Sequence, residues 1–198
     1  MENKEIYYIE ESQEWVCPMA GRWKVIAVGG GASGGGAVYA SSALTTYPPT
    51  AGGTTSFGDV ISANGGVATT EIDGTKGLSC IGGYGGYNGF TYGGVPSSNN
   101  GETFSPAGGN NTMAYLNVSY STPTAALGWG AGGGSLTNQS SGHYVIPGRA
   151  GDIRTTIVSI DEGDIIPCTV GAGGVATEVK DFKFANGADG VIILQYLG

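Results

Sequence analysis

Short runs of alternating apolar and polar residues stand at both ends of the chain, and none repeats at a helical period. Glu5-Ile6-Tyr7-Tyr8-Ile9-Glu10 predicts a strand, and Glu14-Trp15-Val16-Cys17-Pro18 a second that its proline ends. From Arg22 to Val28, Trp23, Val25 and Ala27 alternate with Lys24, Ile26 and Val28, which predicts a third. Thr54 to Ala63 predicts a strand entering the turn signal Asn64-Gly65. Met113 to Tyr120 alternates in the same way. Ile153 to Ile160 predicts a strand and Asp161-Glu162-Gly163-Asp164 a turn. Ile165 to Val170 predicts another strand, in which Pro167 calls for an edge or a bulge. Val191 to Leu197 is apolar on both faces and is expected at the centre of a sheet.

Between these runs glycine dominates, with 39 in 198 residues. The burst Gly29 to Gly36 follows Val25-Ile26-Ala27-Val28, and Gly171-Ala172-Gly173-Gly174 follows Cys168-Thr169-Val170. Two others carry aromatics: Gly82-Gly83-Tyr84-Gly85-Gly86-Tyr87-Asn88-Gly89-Phe90 and Gly128-Trp129-Gly130-Ala131-Gly132-Gly133-Gly134. A flexible linker would combine glycine with serine and charge and would lack β-branched runs. Long structureless loops are also uncommon inside compact domains, so the bursts require a structure of their own. Polyproline II geometry supplies one, because glycine at every third position lets such helices pack closely. Read in triplets, the run from Gly82 puts Tyr84, Tyr87 and Phe90 on one edge, about 9 Å apart. The triplet does not persist and prolines number only 8, which excludes collagen.

The expectation is a single all-β domain over residues 1–198, a jelly-roll-like β-sandwich with polyglycine II-type loops or helices and essentially no α-helix. Its frame spans about 5–66 and 151–198, with a glycine- and aromatic-rich insertion over about 67–150.

Charge narrows the function classes. The net charge is −8 with only 8 Lys and Arg, which argues against nucleic acid and anionic membrane surfaces as partners. No run of about 18 apolar residues predicts a membrane span. Met1-Glu2-Asn3-Lys4-Glu5 is not the start of a signal peptide, so synthesis in the cytoplasm is expected. Cys17, Cys80 and Cys168 are odd in number and widely spaced, which suits small buried hydrophobes better than disulfides or zinc. His143 is the only histidine, which excludes a zinc site with several His ligands, and it reads as a surface or hydrogen-bonded residue. Asp161, Glu162 and Asp164 lack the spacing of a calcium loop.

One glycine run imitates a cofactor motif. Gly29 to Gly34, after a strand, fits G-x-G-x-x-G. A dinucleotide needs a helix to begin there, with its N-terminus facing the pyrophosphate. Two more glycines follow instead, then Pro48-Pro49, and residues 50–58 hold no acid for a ribose. No cofactor, metal or catalytic residue is therefore expected.

The chain nevertheless resembles a family. Trp15-Val16-Cys17-Pro18 with Trp23-Lys24-Val25-Ile26-Ala27-Val28-Gly29-Gly30-Gly31 looks like the opening of the glycine-rich domain of bacteriophage tail fibres and related tail-tip proteins. Thr54-Thr55-Ser56-Phe57-Gly58 and Ile61-Ser62-Ala63-Asn64-Gly65-Gly66 are similar to its second block. Ile157 to Ile160, Glu162-Gly163, Cys168 to Gly174 and Asn186 to Ile193 resemble its close. The likeness covers about 15–66 and 151–198, and the middle departs from it. It implies a β-sandwich frame with polyglycine-type loops and a structural or receptor-binding role in a virion, at a tail or fibre tip. It fixes no catalytic residue. The stacked polyglycine II helices of T-even-type phage adhesins are a looser analogy.

The expected function is a non-enzymatic module that binds a bacterial surface glycan or protein, and that also contacts other tail or fibre proteins. Flat aromatic faces beside amides suit sugars, and loops on a rigid frame are where binding sits. The candidates are Tyr84, Tyr87, Phe90, Tyr92 and Trp129, with Asn99, Asn100, Asn110 and Asn111. The alternative for these aromatics is a place in the core. A cap or connector without a receptor is the second reading, and a glycan-degrading enzyme using Asp59, Glu71 or Asp73 the third. Both a homotrimer and a monomeric cap remain open.

Overall fold

The structure is a computed structural model and describes residues 5–68, 87–88, 91–92, 126, 128–137, 143–146 and 148–198. Among them the protein is all-β, with antiparallel sheets and no helix. The strands are β1 (Ile6–Ile9), β2 (Gln13–Val16), β3 (Gly21–Val28), β4 (Gly35–Ala40), β5 (Ala43–Tyr47), β6 (Thr55–Phe57), β7 (Ile61–Ala63) and β8 (Tyr87–Asn88). They continue with β9 (Thr91–Tyr92), β10 (Ser135–Thr137), β11 (His143–Ile146), β12 (Ile153–Ile160), β13 (Ile165–Thr169), β14 (Phe182–Phe184) and β15 (Val191–Tyr196).

Two four-stranded sheets, ordered β1-β15-β3-β12 and β2-β13-β6-β7, share one core. Trp23, Val25, Ile192 and Leu194 from the first meet Trp15, Phe57 and Cys168 from the second. Aromatic packing dominates: Trp23 lies 5.3 Å from Trp15 and 5.0 Å from Tyr196, ring to ring. The alternation in Arg22 to Val28 therefore aims Trp23 and Val25 into this core, while Ile26 and Val28 join a second cluster with Val191 and Ile193. β15 sits between β1 and β3, which accounts for its apolar residues on both faces.

Away from these sheets, β4 pairs with β11 and β5, and β10 pairs with β14. Among the described residues, seven glycine-rich segments lie side by side. The central one, 29–34, runs from β3 to β4 and is wholly buried. Its amides donate with a period of three. Gly29 and Ala32 donate to Asp152 and Arg149, Gly30 and Ser33 to Gly53 and Thr50, and Gly31 and Gly34 to Ala188 and Ala185. Three residues per turn without internal bonds is the polyproline II habit. Its carbonyls accept from three further segments: Gly30 from Gly66, Gly31 from Gly174, and Ala32 from Gly133.

The six neighbours also bond to one another in a closed ring. Gly53 donates to Ala172, Gly187 to Gly174, Ala188 to Ala131, Gly148 to Gly133, Asp152 to Asn64, and Gly52 to Gly66. Direction alternates around this ring. The segments at 50–53, 148–152 and 185–190 lead from β5, β11 and β14 back to β6, β12 and β15, antiparallel to the centre. Those at 64–66, 130–134 and 171–174 run parallel to it. Backbones this close leave no room for side chains. A β-carbon on Gly31 would fall well inside 3.0 Å of the Ala131 carbonyl and 2.9 Å from that of Gly130. On the outside of the ring every third residue faces solvent, as with Asn186 and Asp189, or Ala172 and Val175.

Several expectations change. Thr54 to Ala63 is a hairpin rather than one strand, because Gly58 turns with φ +49° between β6 and β7. Pro167 lies in an internal strand; its carbonyl accepts from the Gly58 amide at 2.8 Å, but without an N–H it cannot return that bond, and the β6 ladder stops at Cys168. The run after Gly34, read only as unsuited to a helix, forms the β4–β5 hairpin across Ser41 and Ser42, whose φ values are 48° and 66°. The burst 128–134, expected with the insertion, is one wall of the ring. Tyr87 and Asn88 form β8 opposite Tyr92 and Thr91 rather than part of a polyproline triplet, and the rest of that run lies outside the described residues, as does 113–120.

Candidate functional site

The run that imitates a dinucleotide loop has no capacity for phosphate. Every amide from Gly29 to Gly34 already donates to a protein carbonyl at 2.7–3.0 Å, and no helix starts there. Among the described residues no three His, Cys, Asp or Glu side chains come together as metal ligands. Asp59 lies in the β6–β7 turn, and Glu71 and Asp73 are outside the described residues. Asp161, Glu162 and Asp164 form the exposed β12–β13 turn, where Gly163 has φ +85°.

Cys17 and Cys168 are buried free thiols, and Cys80 lies outside the described residues. Burial pushes the Cys168 thiol up to about 11, which keeps it protonated and unreactive at neutral pH.

Of the proposed receptor contacts, Trp129 has defined surroundings. It is half-buried where the 128–134 segment begins, beside the outer face of the β1-β15-β3-β12 sheet. Its ring stacks on Tyr8 at 5.6 Å and 27°, and packs against Ile26, Val28, Val191 and Ile193. Its Nε1 donates to Glu10 Oε1 at 3.0 Å. Trp129 thus pins the start of that segment to the sheet and presents an aromatic pair with the exposed Tyr8. Tyr87 and Tyr92 stand opposite each other in the β8–β9 ladder. Tyr84, Phe90, Asn99, Asn100, Asn110 and Asn111 lie outside the described residues. His143 is on β11, paired with Val38.

Reading the sequence missed a groove at the far end of the ring, formed by residues 176–186. Its signal was the pair of lysines and phenylalanines in Lys180 to Phe184, in a chain with few cations. No family model matches the chain, and no curated protein or solved structure is significantly similar to it.

Proposed function

We propose that the protein is a non-enzymatic binding module of a bacteriophage or phage-like tail, a fibre tip that attaches to a glycan or protein on a bacterial surface. The observation that carries this reading is the closed ring of glycine segments. Its seven segments are built on glycines whose missing side chains let backbone pack directly against backbone. Such a frame does no chemistry; its product is rigidity for the connections at its ends. The two sheets that share the Trp15–Trp23 core make the base of a β-sandwich frame, and the connections at the opposite end face the host. The resemblance of 15–66 and 151–198 to phage glycine-rich domains points the same way. Tyr84, Tyr87, Phe90, Tyr92 and Trp129, with Asn99, Asn100, Asn110 and Asn111, are the proposed contacts of the middle region.

The test is binding of fluorescently labelled protein to intact bacteria across a panel of strains. Saturable binding to some strains, lost on competition with unlabelled protein, is expected. Absence of binding to every strain tried, with co-purification with a tail fibre protein, would replace the receptor-binding role by that of a connector.

A further inference from the structure

The two large sheets end on the same flank of the molecule. β12 is the free edge of one and β7 of the other, and β7 packs beneath β12. Proteins commonly protect sheet edges with short strands, proline, lysine or a bulge. The edges formed by β1, β2 and β7 are short, with four, four and three residues. β12 has eight, paired one to one with β3 from Ile153 to Ile160, so no bulge interrupts it. It contains no proline and no lysine. Its one charged side chain, Arg154, stands near the start of the strand and pairs with Asp152 at 3.1 Å.

The direction of the backbone groups of β12 follows from β3. The Arg22 amide donates to Gly198 and its carbonyl accepts from Leu197, so Arg22, Lys24 and Ile26 bond toward β15. Trp23, Val25 and Ala27 then bond toward β12, where they stand opposite Val158, Thr156 and Arg154. The N–H and C=O groups of Thr155, Ile157 and Ser159 therefore point out along the free edge, and among the described residues they meet no partner. All three residues are exposed, Ile157 to 51%.

We infer that β12 pairs antiparallel with β12 of a second copy, joining two four-stranded sheets into one across a two-fold axis. The side chains argue for this occupant. With the axis at Ile157, that residue meets itself, Thr155 of one copy meets Ser159 of the other, and Thr156 meets Val158. These are an apolar pair on the axis, hydroxyl pairs and β-branched pairs, all favourable across strands, and no like charges stand opposite each other. A surface that matches itself is what a two-fold interface requires. The pairing supplies about six backbone hydrogen bonds to the groups along the edge. One strand from each copy buries less than an obligate dimer needs, so association depends on concentration. The inference concerns assembly and stands apart from any receptor.

The test is sedimentation of the full chain from micromolar to millimolar concentration, with amide exchange measured at both limits. The mass should rise from 19.9 kDa toward twice that value. The amides of Thr155, Ile157 and Ser159 should exchange at least tenfold more slowly at the higher concentration. That change should exceed the one at Thr156 and Val158, which already bond to β3. Ile157→Lys sets two like charges on the axis and should weaken dimerisation at least tenfold. Ile165→Lys, which removes an exposed isoleucine of β13, should leave it unchanged. The exchange pattern of the wild-type chain decides the matter even where a variant fails to fold. Four results overturn the inference: a single 19.9 kDa species at every concentration, a trimer, edge amides whose exchange ignores concentration, or an Ile157→Lys protein that dimerises as tightly as wild type.

Discussion

Replacing Gly31 with alanine tests the glycine frame at its centre. In most settings glycine to alanine stabilises a protein by about 0.4–1 kcal/mol, because the unfolded chain loses freedom. Here the sign reverses. The new β-carbon would sit 2.9 Å from the Gly130 oxygen and closer still to the Ala131 carbonyl. Ordinary carbon contact lies near 3.5–4 Å, so the 130–134 segment must retreat by about 1 Å or more. Overpacking of this kind costs about 1–3 kcal/mol. The retreat also stretches the bonds from Ala188 to Ala131 and from Gly133 to Ala32, each contributing about 1 kcal/mol. A loss of at least about 3 kcal/mol follows, which in a chain of this size lowers Tm by about 6–12 °C. Thermal unfolding followed by circular dichroism checks it, with Ala172→Ser at a solvent-facing ring position as the control, expected to change stability by less than about 0.5 kcal/mol. A neutral or stabilised Gly31→Ala protein would refute the close-packed ring.

Further outcomes follow from single groups. Ser135→Ala should cost about 2–4 kcal/mol in urea unfolding, because the buried hydroxyl accepts from the Gly35 amide at 3.0 Å and donates to the Ile146 carbonyl at 2.8 Å, and both would lose their partner. Trp129→Ala should lower stability by about 1–3 kcal/mol through loss of the Tyr8 stack and the cluster behind it, while Trp129→Phe should recover most of it. Stability should fall as pH rises from about 9 to about 11: the unfolded thiol ionises first, the buried Cys168 thiol keeps its proton until about 11, and the folded state therefore binds more protons in this window. Tyr7, raised mainly by its hydrogen bond to Glu5, adds in the same direction above pH 10. The fall should be smaller in Cys168→Ala.

Period-two alternation made β3 legible, since Trp23 and Val25 declare a buried face by spacing, and β15 was legible from its apolar residues on both faces. The need for structure in the glycine bursts was legible too, from their attachment to strands. Which bursts belong together was not. Glycine has no side chain to reveal its partner, and the bonds from 29–34 reach residues more than 150 positions away. The β4–β5 hairpin escaped because its turn uses Ser41-Ser42 in place of the glycine or asparagine that positive φ favours. The groove escaped because Phe182 is fixed by Gly36, a contact between distant segments.

Amide hydrogen exchange of Gly29 to Gly34 tests the account most directly. A central segment bonded to six neighbours opens only when the ring opens, so these amides should exchange as slowly as those of β3 and β15, near the rate set by global unfolding. Exchange of Gly29 to Gly34 within minutes, at the rate of an exposed loop and well ahead of β3, would contradict it.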